Sequence, residues 1–382
     1  MNVILKMVLS AACMVVFASC ATTHYARPTA EPIAWLESRA TDDANIQWFD
    51  ALELGLHGQG WSETKHPYDR LPATAEGVVR GSVWSLGRRS AGLCVRFVSD
   101  SPQINARWSL RFESLAMNHM PATGVSGLDL YVRDGDVWRW VSVGRPTAFP
   151  KNEASLLTKA PPGTHEYALF LPLYNGVDTV EIGIAAQSRI APSSGWEHAR
   201  PICIYGTSIV QGGCASRPGM AHTSILSRRL DRPVINLGFS GNGKMEPEVA
   251  TLLAELDPAI YVIDAAPNMD AKLITERAEP LVRTLRKARP DTPIVLVENI
   301  IYQNGWFIDE RRESYESKNT ALREVFRNLK RSRVPNIHYI STQALLGDDD
   351  EATVDGTHPT DLGFQRMADA IEPMLRKLLK FK

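Results

Sequence analysis

Charge of one sign is what this chain has least of: 42 Lys and Arg stand against 43 Asp and Glu, a net charge of −1 over 382 residues, with no basic stripe. Nothing in that balance suggests a nucleic-acid binder, and a neutral or weakly charged substrate suits it better. Cysteine is scarce as well. Of five in all, Cys13 and Cys20 fall in an N-terminal leader, leaving Cys94, Cys203 and Cys214, an odd number that makes no disulfide framework. The fold must stand on packing. Cys94 and Cys203 lie in apolar runs and read as buried thiols, and Cys214 has no histidine adjacent in sequence to make it a nucleophile. Beyond the leader no apolar run is long enough to span a bilayer. His119, His165, His198, His222, His338 and His358 are dispersed, whereas a zinc hydrolase clusters its ligands. A phosphate-loop lysine motif is absent, and "DDDE" at 348–351 reads as a solvated loop. Neither a metal nor a cofactor is expected.

The chain opens "MNVILKMVLSAACMVVFASCATTH", with Lys6, an apolar stretch from Met7 to Phe17, and small residues ending at Cys20. Too short for a comfortable span, the stretch reads as a cleaved export signal over 1–20. "FASC" resembles a bacterial lipobox, which makes Cys20 the lipid-bearing first residue of a protein tethered in the cell envelope. Phe17 is unusual three places before such a cysteine, and plain secretion is the alternative. Residues 21–44 then form a tether, and the membrane is met only through the anchor.

A length of 382 residues suggests two domains, and the periodicity changes midway. Over 45–192 the runs "GVVRGSVWSL", "GLCVRFVSD", "QINARWSLRF", "GLDLYVRDGDVWRWVSVG" and "HEYALFLPLYNGVDTVEIGI" read as short strands, with turns at "DGD" and "NG". A jelly-roll-like β-sandwich is expected there. Residues 193–200 read as a linker. Over 201–382 the apolar strands "PICIYG", "PVINLGF", "AIYVIDAAP", "TPIVLVENI" and "NIHYIST" alternate with helical segments, and "LGFQRMADAIEPMLRKLLK" closes the chain. That pattern predicts a three-layer α/β domain on a parallel five-stranded sheet, with ligands bound at the carboxyl ends of the strands.

Chemistry gathers on those ends. "YGTSIVQGG" places Ser208 where the first strand turns into a helix. "VDGTHPTD" sets Asp355 three residues from His358 on a turn, so the carboxylate can orient one imidazole nitrogen while the other faces outward. The same turn also reads as a surface cap on the last helix, with Asp361 in its first turn. "APN" offers Asn268 as an amide donor to an oxyanion, or as an ordinary turn residue. "SGNG" supplies Gly241 and Gly243, which allow backbone N–H groups to approach a ligand. A Gly-x-Ser-x-Gly elbow would need glycine at 210, where Val210 stands.

Together the four blocks resemble the SGNH (GDSL-type) hydrolase superfamily, in its order and on its elements of a flavodoxin-like sheet, over roughly 200–380. The resemblance implies Ser208 as nucleophile, His358 as base and Asp355 as its orienter, with the Ser208 and Gly241 N–H groups and the Asn268 amide as oxyanion hole. Gly-Thr-Ser stands where Gly-Asp-Ser is commonest, and Ala-Pro-Asn-Met where Gly-x-Asn-Asp is usual. "GTSIVQGGCASRPGMAHT" and "MPATGVSGLDLYV" are similar to a bacterial branch with an extra N-terminal β-domain. Such enzymes imply an acylated carbohydrate, with acetyl favoured, as substrate. A lipase or thioesterase, or a glycan-binding lipoprotein with a vestigial hydrolase domain, are the alternatives. Trp306 and His119 are the candidate substrate contacts, His119 from the loop "NHMPATGVSG", which is expected to wall one side of the cleft.

Overall fold

The structure, a computed structural model, describes residues 33–38, 45–196 and 199–380. The expected leader, with Cys20, and most of the tether lie outside the described residues. Strands of the first half are β1 (Ile46–Asp50), β2 (Leu56–His57), β3 (Cys94–Ser99), β4 (Ile104–Leu110), β5 (Leu128–Asp134), β6 (Val137–Gly144), β7 (Lys151–Leu157), β8 (His165–Phe170), β9 (Val177–Ala185) and β10 (Ile190–Pro192). They form two antiparallel sheets, β1-β9-β4-β7 and β10-β3-β8-β5-β6, with β2 beside β3. Alternation explains the sandwich: Ile104, Ala106, Trp108 and Leu110 of β4 all point into its core, with Phe97, Leu130 and Ile182.

One expected strand is a helix. "GVVRGSVWSL" holds α1 (Gly81–Gly87), because Val79, Val83 and Leu86 recur at helical spacing and bury together. Their partners are Cys203, Tyr205 and Leu237, not the sandwich. A stretch early in the chain thus covers one face of the second half. A second short helix, α2 (Ala122–Val125), lies in the loop after β4.

The second half is built from α3 (Ser208–Gln211), α4 (His222–Leu230), α5 (Pro247–Glu255), α6 (Ala271–Ala288), α7 (Asp309–Arg331) and α8 (Asp361–Lys380) around β11 (Ile202–Gly206), β12 (Val234–Gly238), β13 (Ile260–Asp264), β14 (Ile294–Val297) and β15 (Ile337–Ile340). Its sheet is five-stranded and wholly parallel, in the order β12-β11-β13-β14-β15. Every residue of β11, β12 and β13 is buried, as a sheet covered on both faces requires. Chain direction reverses sides at β11, whose neighbours are β12 and β13, and that switch point opens a crevice at their carboxyl ends. Among the described residues no helix is long and apolar enough to cross a membrane.

Candidate active site

Ser208 stands at the switch point because the residues before it stop β11 and start α3. Thr207 is extended, and its Oγ1 accepts the Ile209 N–H at 3.2 Å, an N-cap that a carboxylate could equally supply. Crowding dictates the flanking glycines. A Cβ on Gly206 would lie 2.2 Å from the Asp264 carbonyl oxygen, and one on Gly238 would lie 2.1 Å from the Gln211 nitrogen. Only glycine lets α3 sit this close to β12 and β13.

The turn before α8 meets the serine. Asp355 Oδ1 accepts the backbone N–H groups of Thr357 (3.0 Å) and His358 (2.8 Å), and Oδ2 accepts the imidazole Nδ1–H at 2.8 Å. His358 Nε2 lies 2.9 Å from Ser208 Oγ, a contact across 150 residues of chain. Burial pushes the Asp355 carboxyl up, but the hydrogen bonds from the His358 backbone and ring outweigh it and hold the group below the usual range. An ionised carboxylate on Nδ1 leaves Nε2 as the acceptor facing the hydroxyl. Such an arrangement can take the serine proton as Oγ attacks a carbonyl, and return it to a leaving group.

Three donors that the sequence singled out are free. The Ser208 N–H opens α3 and the Gly241 N–H lies on a left-handed residue (φ +68°). Asn268 Oδ1 accepts the Gly243 N–H at 3.2 Å, which commits the amide oxygen and leaves Nδ2 available. Among the described residues none of these three donors has an acceptor.

Several neighbours were not legible as functional. Gln211 is fully buried; its Oε1 accepts the Ser240 N–H (3.0 Å) and its Nε2 donates to the Leu173 carbonyl (3.1 Å), tying the loop after β12 to the first half. The Tyr174 hydroxyl donates to the Ser208 carbonyl at 3.3 Å. Asp129 of β5 accepts from Arg217 Nη1 and the Gly219 N–H, each at 2.8 Å, and Thr123 Oγ1 donates to the Ser216 carbonyl at 2.6 Å. The loop "NHMPATGVSG" is therefore fastened over the segment following Ser208. It carries His119 to His358, ring centroids 5.8 Å apart, and ligand atoms of His119, Cys214 and His358 lie within 4.8 Å of one another. Histidines dispersed in sequence are thus neighbours in space. Trp306 is 71% exposed, beside Phe307 at 5.3 Å. Its loop adjoins the Asp355 turn through the Gln303 N–H bond to the Gly356 carbonyl (3.0 Å).

Asp264 closes β13 under Gly206, 2% exposed, with its Oδ2 unpartnered among the described residues. Burial pushes its carboxyl up to about 7. The folded state holds that proton more tightly, so the stabilisation is complete below about pH 4 and is lost as pH rises to about 7. Over that window the loss is about 4 kcal/mol at ~1.4 kcal/mol per pH unit. Asp264→Asn should therefore melt well above the parent at pH 8 and level with it at pH 4. A difference independent of pH in thermal denaturation would sink this account.

A parallel five-stranded sheet with serine, histidine and aspartate hydrogen-bonded at its carboxyl edge is the architecture of an SGNH-type hydrolase. Residues 199–376 match the GDSL-like lipase/acylhydrolase family, and residues 46–190 match the N-terminal region of SGNH-hydrolase-type esterases. A protein from Bacteroides ovatus described as a GDSL-like lipase is 37% identical, with a TM-score of 0.84 over 88% of this chain and 98% of that one. The chain belongs to the GDSL-like lipase/acylhydrolase family. The salicylyl-acyltransferase SsfX3 of a tetracycline biosynthetic pathway (16% identity, TM-score 0.69) and a family two carbohydrate esterase from Cellvibrio japonicus (14%, 0.56) share the fold, each over 88% of this chain and 98% of its own. No curated protein matches the chain.

Proposed function

We propose that the protein is a serine esterase that removes short acyl groups, acetyl above all, from a carbohydrate. The observation that carries the reading is the unbroken hydrogen-bond line from Ser208 Oγ through His358 to Asp355. Ser208 Oγ attacks the ester carbonyl as its proton passes to His358 Nε2, and the oxyanion takes the free donors of Ser208, Gly241 and Asn268. Collapse expels the sugar alcohol with that proton, and water repeats the two steps on the acyl-serine. The carbohydrate esterase among the structural neighbours supports a sugar as the alcohol part. So do the exposed rings of Trp306 and Phe307 beside the Asp355 turn, either of which can stack on a pyranose ring. Export by the leader over 1–20, with Cys20 lipidated, belongs to the same proposal and is tested by the mass of the mature protein and its Cys20→Ser variant.

The test is hydrolysis of p-nitrophenyl acetate, butyrate and octanoate beside an acetylated xylo-oligosaccharide. Activity confined to the short esters and the sugar supports the reading, and preference for octanoate overturns it. Asn268→Ala should lower kcat by roughly 10²–10³-fold with KM little changed, because its donor matters most once charge develops. A rise in KM at constant kcat would instead make Asn268 a ground-state contact.

A further inference from the structure

A cleft of about 630 Å³ is lined by Arg89, Phe112, Ser114, Met117, Tyr174 and Ser240 among others. Its size is that of a small-molecule site, roughly 300–1,000 Å³. Two lining residues join it to the proposed chemistry: the Tyr174 hydroxyl is bonded to the Ser208 carbonyl, and Ser240 precedes Gly241. Among the described residues no carboxylate lines it.

Among the described residues Arg89 is the one charged group on its wall. Nε donates to the Tyr174 carbonyl at 2.7 Å, and the guanidinium lies 5.3 Å from the Phe112 ring centroid. Both terminal nitrogens lack a hydrogen-bond partner among the described residues, and Arg89 makes no ion pair there. Asp69, whose charge reaches Arg70, is paired with Arg111. Arg70, fully buried and bonded to the carbonyls of Asn236, Gly238, Leu86 and Arg89, adds a second positive charge behind it. Burial pushes the Arg89 pKa down, so the fold keeps a cation here against its own desolvation. A planar fork of free N–H groups suits a carboxylate, which it can bind through two parallel hydrogen bonds.

We propose that this cleft is a carboxylate subsite, so that the acylated carbohydrate is an acidic one whose uronic-acid group sits on Arg89 while its ester meets Ser208. The inference rests on the esterase reading for its second half only. A net charge near zero does not oppose it, since the sum over the chain carries no information about one wall of one cleft.

The test is calorimetric binding of sodium glucuronate, glucose and glucose 6-sulfate to the full chain, to Arg89→Gln and to Arg89→Lys, with inhibition of p-nitrophenyl acetate hydrolysis read in parallel. Expected are glucuronate binding that weakens with added salt, at least a tenfold loss in Arg89→Gln, a smaller loss in Arg89→Lys, and little binding of glucose. Equal affinity for glucose and glucuronate, or glucuronate binding untouched by Arg89→Gln, overturns the subsite. Tighter binding of glucose 6-sulfate overturns the carboxylate assignment. Should Arg89→Gln fail to fold, the salt dependence and the glucose comparison on the parent decide. Glucuronate binding in a protein whose ester hydrolysis survives Ser208→Ala would leave the subsite standing and fail the esterase reading alone.

Discussion

Ser208→Ala should lower kcat on p-nitrophenyl acetate by roughly 10⁴–10⁶-fold, His358→Ala should cost a similar factor, and the double variant should lose no more than either alone. The reason lies in the 2.9 Å contact between Oγ and Nε2. A serine hydroxyl is a weak nucleophile until a base takes its proton, and the imidazole has nothing to take once the hydroxyl is gone. Each removal therefore disables the same step. Ser208 is only 6% exposed, and alanine loses one oxygen from a site already packed around Cβ, so the thermal midpoint should stay within a few degrees. Losses that multiply in the double variant would mean that the two side chains act independently, and the proposed mechanism would fall.

Asp355→Asn should cost roughly 10³–10⁴-fold, and should cost more than Asp355→Ala. Both carboxylate oxygens accept: Oδ1 from two backbone N–H groups and Oδ2 from Nδ1–H. An amide has one acceptor to offer. If its oxygen stays on the backbone, its NH₂ faces Nδ1 and drives the proton to Nε2, where it blocks acceptance from Ser208. If the amide turns over, NH₂ opposes the Thr357 and His358 N–H groups and loosens the turn. Alanine imposes neither conflict, and with the Asp355 side chain 42% exposed water can reach Nδ1 in its place. Steady-state kinetics on both variants decide this, and an asparagine variant as active as the parent would remove Asp355 from its orienting role.

Much of the fold was legible because its signals are local. Near-continuous apolar runs such as "AIYVIDAAP" and turn residues such as "DGD" depend only on neighbours a few positions away. The helix at Gly81–Gly87 was misread for the same reason. Val78, Val79 and Val83 of its run favour a strand locally, and its partners Cys203, Tyr205 and Leu237 lie more than a hundred residues on. Thr207, Ser208, Asp355 and His358 could be singled out from turn chemistry and spacing. Gln211 and Tyr174 could not, since an amide or phenol in an apolar stretch shows nothing of which distant backbone group it will bond.

By itself, then, the sequence determined the parallel sheet and the residue types delivered to its carboxyl edge, all consequences of short-range pattern. Only the tertiary structure decided that His119 and Cys214 stand beside His358, that the first half fastens onto the segment after Ser208 through Asp129 and Thr123, and that Arg89 faces a cleft with no counter-ion among the described residues. Those are meetings of residues far apart in the chain, and packing in three dimensions, not periodicity, brings them together.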